Sequence, residues 1–281
     1  MKRSDIAHLS FEFFPPKSVR GTHNLLRTAR RLAEYEPDFY SVTHGAGGSV
    51  RDGTLETIRI LRAEGFNAIP HITWRDDTRE TMVSLLETYE ALSVDQLVVL
   101  RGDIADQDDV KPTTFHYARE LVELIRTCTG QKFRLNVACY PEVHPEAQSP
   151  QDDIRHLKDK VDAGADCCIT QYFYDAETYK EFVATCTKAG ITQPIVPGIM
   201  PISNFPKLLA FSSKCGAKIP DWLRIKLTFM QGYQAKIREF GADVVADLCR
   251  TLLQNKASGL HFYTLNLARP TQAILTRLID E

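Results

Sequence analysis

Eight short apolar runs recur along the chain, at Leu9–Phe14, Phe39–Thr43, Ala68–Trp74, Gln96–Leu100, Phe133–Cys139, Cys167–Gln171, Pro194–Ile199 and Leu260–Thr264. Between them lie polar loops and segments with helical spacing, such as Leu25/Leu26/Ala29/Leu32/Ala33 and Ile154/Leu157/Val161. Ser149-Pro150 and Asp175 read as helix starts, and Gly65, Gly164 and Gly190 as left-handed helix ends before the next strand. Strands that are apolar on both faces and alternate with helices predict a parallel sheet covered all round. Eight such units in one undivided chain predict an α/β fold of the (β/α)8 TIM-barrel kind. The seventh unit is irregular: after Phe205–Ser212 come Trp222–Met230 and Ala235–Leu253, so extra helix precedes the last strand. An open doubly wound sheet would call for a glycine fingerprint after an early strand. Gly45-Ala46-Gly47-Gly48 comes nearest and lacks the final glycine.

Composition changes this picture little. The chain has 281 residues, with 43% hydrophobic and 25% charged, which excludes wholesale disorder and allows two average domains or one large one; the undivided strand–helix pattern favours a single domain over residues 1–281. A net charge of −2 without a Lys/Arg block argues against a nucleic-acid or anionic-membrane surface. The polar start, Met1 to Ser10, offers no signal peptide, and no apolar window is long enough for a membrane span. Seven cysteines without CxxC or zinc-like spacing read as buried small hydrophobes, so a reduced cytoplasmic enzyme without a metal is expected.

A barrel carries its chemistry at the carboxyl ends of its strands. Those positions hold Glu12, Thr43-His44, His71, Arg101-Gly102-Asp103, Tyr140 and His144, Gln171-Tyr172, and Tyr263. A single strand-end His or Gln is usually a satisfied structural group; seven converging ones point to a site. In Ser10-Phe11-Glu12-Phe13-Phe14-Pro15-Pro16, alternation puts the two odd-numbered phenylalanines on one face and Glu12 on the other, in the barrel mouth. A carboxyl desolvated among aromatic rings has a raised pKa and suits a general acid. The competing reading pairs Glu12 with Arg101 or a histidine. Gly102 lets backbone approach a flat ligand, and Arg101 offers a donor fork for phosphate or carboxylate. No GxxxxGK[ST], no metal-binding His-x-His after the first strand, no HExxH and no strand-end Schiff-base lysine occurs. With only Trp74 and Trp222, a sugar platform for a glycosidase is thin. The rim suits a large planar cofactor carrying phosphates.

The motifs Phe11–Pro16, Ser41-Val42-Thr43-His44-Gly45-Ala46-Gly47-Gly48, Pro70-His71-Ile72-Thr73 and Leu100-Arg101-Gly102-Asp103 resemble the methylenetetrahydrofolate reductase family in its short bacterial form. The likeness continues in family order through Tyr140–Glu146, Lys160–Ala165, Ile169-Thr170-Gln171, Pro197–Pro201 and His261–Asn266. It implies a barrel that binds FAD, is reduced by NADH or NADPH, and converts 5,10-methylenetetrahydrofolate to 5-methyltetrahydrofolate. By motif match, Glu12 takes the proton donor's place and Asp103 that of the carboxylate beside flavin and folate. Thr43, His44, Ala46, His71, Arg101, Gly102, Tyr117, Ala118, Tyr140, His144, Ala147, Asp153, His156 and Lys160 fall on flavin-contact positions. Gln171 corresponds to a folate contact, and Tyr172 and Phe211 to aromatic positions over the substrate ring, with Tyr263 beside them. The resemblance also implies a homo-oligomer.

Departures lie at the periphery. Leu267 stands where the family often has an arginine for the folate's glutamate tail, and Lys207 is a candidate substitute. Asp159 stands at an often basic place, and His44 and His156 replace what are commonly Tyr and Asn. A flavin-free one-carbon transferase and a non-catalytic flavin- or folate-binding protein are the alternative readings.

Overall fold

The computed structural model describes residues 2–44, 50–74, 78–102 and 116–279, with only the backbone for residues 50–52. Strands β1 (Leu9–Phe13), β2 (Phe39–Val42), β3 (Ala68–Ile72), β4 (Gln96–Val99), β5 (Arg134–Cys139) and β6 (Cys167–Thr170) follow one another. Then come β7 (Ile195–Val196), β8 (Gly198–Ile199) and β9 (Leu260–Tyr263). Helices α1 (Val19–Leu32), α2 (Val50–Ala63), α3 (Arg79–Ala91), α4 (Ala118–Thr129), α5 (Pro150–Asp162) and α6 (Ala176–Lys188) alternate with the first strands. Three helices, α7 (Phe205–Cys215), α8 (Asp221–Phe229) and α9 (Gln234–Gln254), precede β9, and α10 (Ala268–Leu278) follows it. The extra helix expected before the last strand is there.

Every ladder is parallel, and the strands are ordered β7-β6-β5-β4-β3-β2-β1-β9-β8. The two ends of that order are halves of one segment, because β7 and β8 flank Pro197. The seventh apolar run is therefore not one strand, as the sequence suggests, but two. Proline has no amide hydrogen to continue a ladder, so the segment turns from one neighbour to the other at that residue. β7 pairs with β6, β8 pairs with β9, and the amide of His261 donates to the Pro197 carbonyl at 3.0 Å. The result is a (β/α)8-type barrel, nearly closed, with its seam at Pro197.

Alternation sorts each strand into a helix-facing and a lumenal set. Leu9, Phe11 and Phe13 are fully buried in the core between sheet and helices, where Phe13 stacks on Tyr40 at 5.5 Å. The Tyr40 hydroxyl donates to the carbonyl of Ala29, tying β2 to α1. Each such ring contributes roughly 2–3 kcal/mol by leaving water. Ser10 and Glu12 point the other way.

Helix starts follow from local chemistry. The Ser18 hydroxyl accepts from the amide of Gly21, that of Ser149 from Asp152 with Pro150 in the first turn, and the Asp175 carboxylate from Glu177. Gly65, Gly164 and Gly190 all have positive φ, as left-handed helix ends require. Among the described residues no helix is long and apolar enough to cross a membrane.

Candidate active site

Lumenal side chains at the strand carboxyl ends surround a cavity of about 480 Å³. Glu12 of β1, His71 of β3, and His261 and Tyr263 of β9 form one wall, with Thr43 and His44 after β2 and Thr73 after β3. Gln171 follows β6, Tyr140 follows β5, and Phe211 reaches in from α7. Glu12 is mostly enclosed, its side chain 18% exposed. Its Oε2 lies 3.3 Å from Nε2 of His71 and 3.5 Å from Nε2 of His261. Of the two partners weighed for Glu12 from sequence, the histidines are the neighbours. Arg101 instead makes a two-pronged contact to Glu146, at 2.7 and 2.9 Å.

Burial pushes the His71 imidazole down to about 4, against the opposing pull of Glu12, so the ring is neutral near neutral pH. His71 and Thr73 line the cavity, and among the described residues their buried Nε2 and Oγ1 make no well-formed hydrogen bond, His71 Nε2 having only the 3.3 Å ion-pair contact with Glu12. Such atoms cost ~1–3 kcal/mol each unless something bonds them. The Tyr263 hydroxyl donates to the Thr170 carbonyl at 2.7 Å, and burial raises its pKa far above the ordinary phenol. Gln171 Oε1 accepts from the amide of Tyr172, leaving its own amide nitrogen as the group available to a ligand.

A second cavity of about 350 Å³ adjoins the first and shares Leu100, Gly102, Ala138 and Tyr140 with it. Arg101, Tyr117, Ala118, His144, Ala147, Asp153, His156 and Lys160 line it. Gly102 has φ +88°, and a Cβ there would come 3.1 Å from the Thr73 Cβ, so glycine suits both backbone and space. Tyr117 stacks on His156 with centroids 4.9 Å apart, and Tyr140 meets His144 edge-on at 4.5 Å. Asp153 accepts from the backbone amide of His144 at 2.9 Å, fixing the loop after β5 to α5. Lys160, partly buried, lines this cavity and donates to the Ala138 carbonyl at 2.5 Å; desolvation lowers its pKa.

Sequence reasoning and structure meet at Glu12, Thr43, His44, His71, Arg101, Gly102, Gln171, Phe211, Tyr263 and the residues of the second cavity, all of which line one or both hollows. Ala46 and Asp103 lie outside the described residues. Tyr172, expected over the substrate ring, is buried and lines neither hollow: its hydroxyl meets Ser212 Oγ at 3.0 Å and its ring packs edge-on against Tyr263. Lys207 is exposed one turn before Phe211 on α7 and lines neither hollow. Leu267 is half exposed at the start of α10, and Asp159 lines neither hollow. Thr73 and His261 were missed. Counting back two residues from Tyr263 along β9 finds His261, and counting on two from His71 finds Thr73.

A parallel barrel that gathers a carboxyl, three imidazoles and a carboxamide on one strand-end cavity is the architecture of an α/β-barrel enzyme. The chain belongs to the methylenetetrahydrofolate reductase family, whose profile matches residues 2–279. It is 38% identical to the 5,10-methylenetetrahydrofolate reductase of Pectobacterium carotovorum subsp. carotovorum, over 95% of this chain and 88% of that one. The Escherichia coli (strain K12) enzyme of the same name is 37% identical over 95% of this chain and 89% of its own. Methylenetetrahydrofolate reductase (NADH) 1 of Arabidopsis thaliana is 38% identical over 97% of this chain, which spans 48% of that protein. Among solved structures, an uncharacterized Clostridium thermocellum protein that binds two copies of 5-methyl-5,6,7,8-tetrahydrofolic acid superposes with a TM-score of 0.68. It shares 15% identity, covering 97% of this chain and 94% of that one, so the likeness is one of fold.

Proposed function

We propose that residues 1–281 form a single catalytic domain that reduces 5,10-methylenetetrahydrofolate to 5-methyltetrahydrofolate at the expense of NADH or NADPH through bound FAD. One observation carries the reading: a lumenal carboxyl, Glu12, faces a cavity that shares four lining residues with a second hollow lined by Arg101, Lys160 and aromatic rings. The residues fit a flat, phosphate-bearing group. Gly102 removes side-chain bulk where the hollows meet, Lys160 supplies a partly buried cation, and among the described residues Thr73 Oγ1 has no hydrogen-bond partner. Thr43, His44, Ala46, His71, Arg101 to Asp103, Tyr117, Ala118, Tyr140, His144, Ala147, Asp153, His156 and Lys160 would hold the flavin. Held by these residues, a flavin would supply the hydride chemistry that links the nicotinamide to the folate.

The chain's own residues do the rest. Glu12 gives its proton to N10 of the folate, so that the five-membered ring opens with a neutral amine leaving and the electrophilic N5-iminium forming. Asp103 opposes that cation with a carboxylate, a preorganised effect of ~3 kcal/mol. Gln171 fixes the pterin edge, and Phe211 covers a ring of pterin or nicotinamide. Both substrates use the same cavity and therefore enter in turn, which gives ping-pong kinetics. The Clostridium thermocellum neighbour that binds 5-methyltetrahydrofolic acid supports a folate in this fold.

Anaerobic stopped-flow of the two half-reactions tests this. Flavin absorbance should bleach with NADH and return with methylenetetrahydrofolate. Glu12→Gln should keep the first step and slow the second by about 10²–10⁴-fold. Equal loss of both steps contradicts the acid role; a protein that takes up no FAD favours the one-carbon transferase.

A further inference from the structure

Beneath Glu12 lies a buried contact that the scheme above does not use. On β1 and β9, Ser10 is in register with His261, and Glu12 with Tyr263. Ser10 Oγ lies 2.7 Å from Nδ1 of His261, whose Nε2 in turn lies 3.5 Å from Glu12 Oε2. Ser10 is 3% and His261 1% exposed, so neither exchanges partners freely with bulk water. Phe39, tilted at 6.1 Å, and Tyr263, edge-on at 5.3 Å, hold the imidazole from two sides.

Two proton arrangements are open to this triad. In one, Nδ1–H donates to Ser10 and a bare Nε2 faces Glu12. The serine proton then has no acceptor among its described contacts, and the lone pair opposes any charge on the carboxylate. In the other, the Ser10 hydroxyl donates to a bare Nδ1, and Nε2–H points at Glu12 Oε2. The serine and imidazole hydrogens then each have an acceptor, as buried groups demand, and a neutral Glu12 carries its own proton on the other oxygen. We propose that Ser10 locks His261 in this second tautomer, making the imidazole a fixed donor that strengthens its bond as Glu12 gives up its proton. Ser10 and His261 are thus positioning residues that set the strength of the acid.

Resting on the reading of Glu12 as that acid, the inference gives a reason for the 3.5 Å separation. A neutral carboxyl accepts weakly; the bond shortens as negative charge develops, so it is worth more after proton transfer than before. The other groups facing the carboxyl are His71 at 3.3 Å, neutral by burial, and the neutral phenol of Tyr263. His44 and Tyr140 stand further round the same cavity, and Asp103 lies outside the described residues.

Histidine tautomers are read directly by ¹⁵N NMR of the labelled protein, without turnover. The wild type should show His261 protonated at Nε2 and bare at Nδ1. Ser10→Ala removes the donor to Nδ1, so a mixture of tautomers should appear. Its folate half-reaction should slow roughly tenfold, with the basic limb of the pH profile moved to higher pH, because the carboxylate is less well stabilised. Flavin bleaching by NADH, which takes no proton from Glu12, is the internal control. Ser10→Thr, which restores the hydroxyl, should restore both tautomer and limb. A wild-type proton on Nδ1, or a slower Ser10→Ala enzyme with unchanged tautomer and limb, overturns the inference. Glu12→Gln reducing methylenetetrahydrofolate at the wild-type rate would instead overturn the acid reading, whatever the tautomer.

Discussion

His71 couples the site to the stability of the whole protein. Its imidazole titrates at 6.5 in the unfolded chain but near 4 in the folded one, chiefly because burial penalises the charged ring. Above pH 6.5 it is neutral in both states and its effect on stability is fully present. Between pH 6.5 and about 4 the unfolded chain takes up a proton that the native state refuses, so stability falls as pH falls. The loss approaches about 3 kcal/mol at the lower end. Urea unfolding from pH 7 to 4 should therefore show a steeper decline for the wild type than for His71→Asn, which removes the titrating ring. Parallel declines would show that the ring is accessible to protons in the folded state. The same residue shows what strand periodicity makes legible and what it does not: it aims the ring at the lumen, while the 3.3 Å approach of Nε2 to Glu12 emerges only from three-dimensional placement.

At the scale of elements, the amino-terminal ends of the β5 and β6 strands hang on one side chain. Arg126, on α4, donates to the carbonyls of Gly130, Phe133 and Gly164 and to the carboxylate of Asp166. Asp166 Oδ2 also accepts from the amide of Leu135 at the start of β5. The planar guanidinium reaches several acceptors in fixed directions, which an ammonium does not. Arg126→Ala should cost about 3 kcal/mol, because it strands a partly buried carboxylate and several carbonyls. Arg126→Lys should recover only part of it, and chemical denaturation of the three proteins measures both. Gly164 was readable from sequence as a helix end, but its second duty was not: a Cβ there would sit 2.9 Å from the Arg126 Cγ. The strand positions were legible because apolar runs bounded by turns have few other solutions. The division of the seventh run was not, since Pro197 sits in an unbroken apolar stretch and its effect depends on which neighbours it must serve.

For the molecule as a whole, the seam at Pro197 packs against Tyr263, a residue that lines the site. Gly198 approaches so closely that a Cβ would lie 2.1 Å from the Thr170 carbonyl oxygen and 2.6 Å from the Tyr263 ring. Its amide donates to Thr170 Oγ1 at 2.9 Å, and the Tyr263 hydroxyl donates to the Thr170 carbonyl. Gly198→Ala should force β6, β8 and β9 apart, costing roughly 3 kcal/mol and lowering Tm by several degrees. Because Tyr263 lines the cavity, the folate half-reaction should slow as well; a normal melting curve with normal kinetics would mean the seam yields without cost. The barrel class was legible from the count of alternating units, and the strand-end cluster from the barrel, whereas the location of the seam needed the pairing pattern.

The pairing of β1 with β9 has a bearing on biosynthesis. Glu12 and His261 are 249 positions apart, yet they share one pocket because the first strand's edge is filled by the last. On the ribosome, the opening segment must wait, its edge uncovered, until residues 260–263 leave the exit tunnel. A chain that lacks residues 260–263 leaves that edge of β1 unpaired and Glu12 without His261 beside it, so the pocket forms only after β9 has been made.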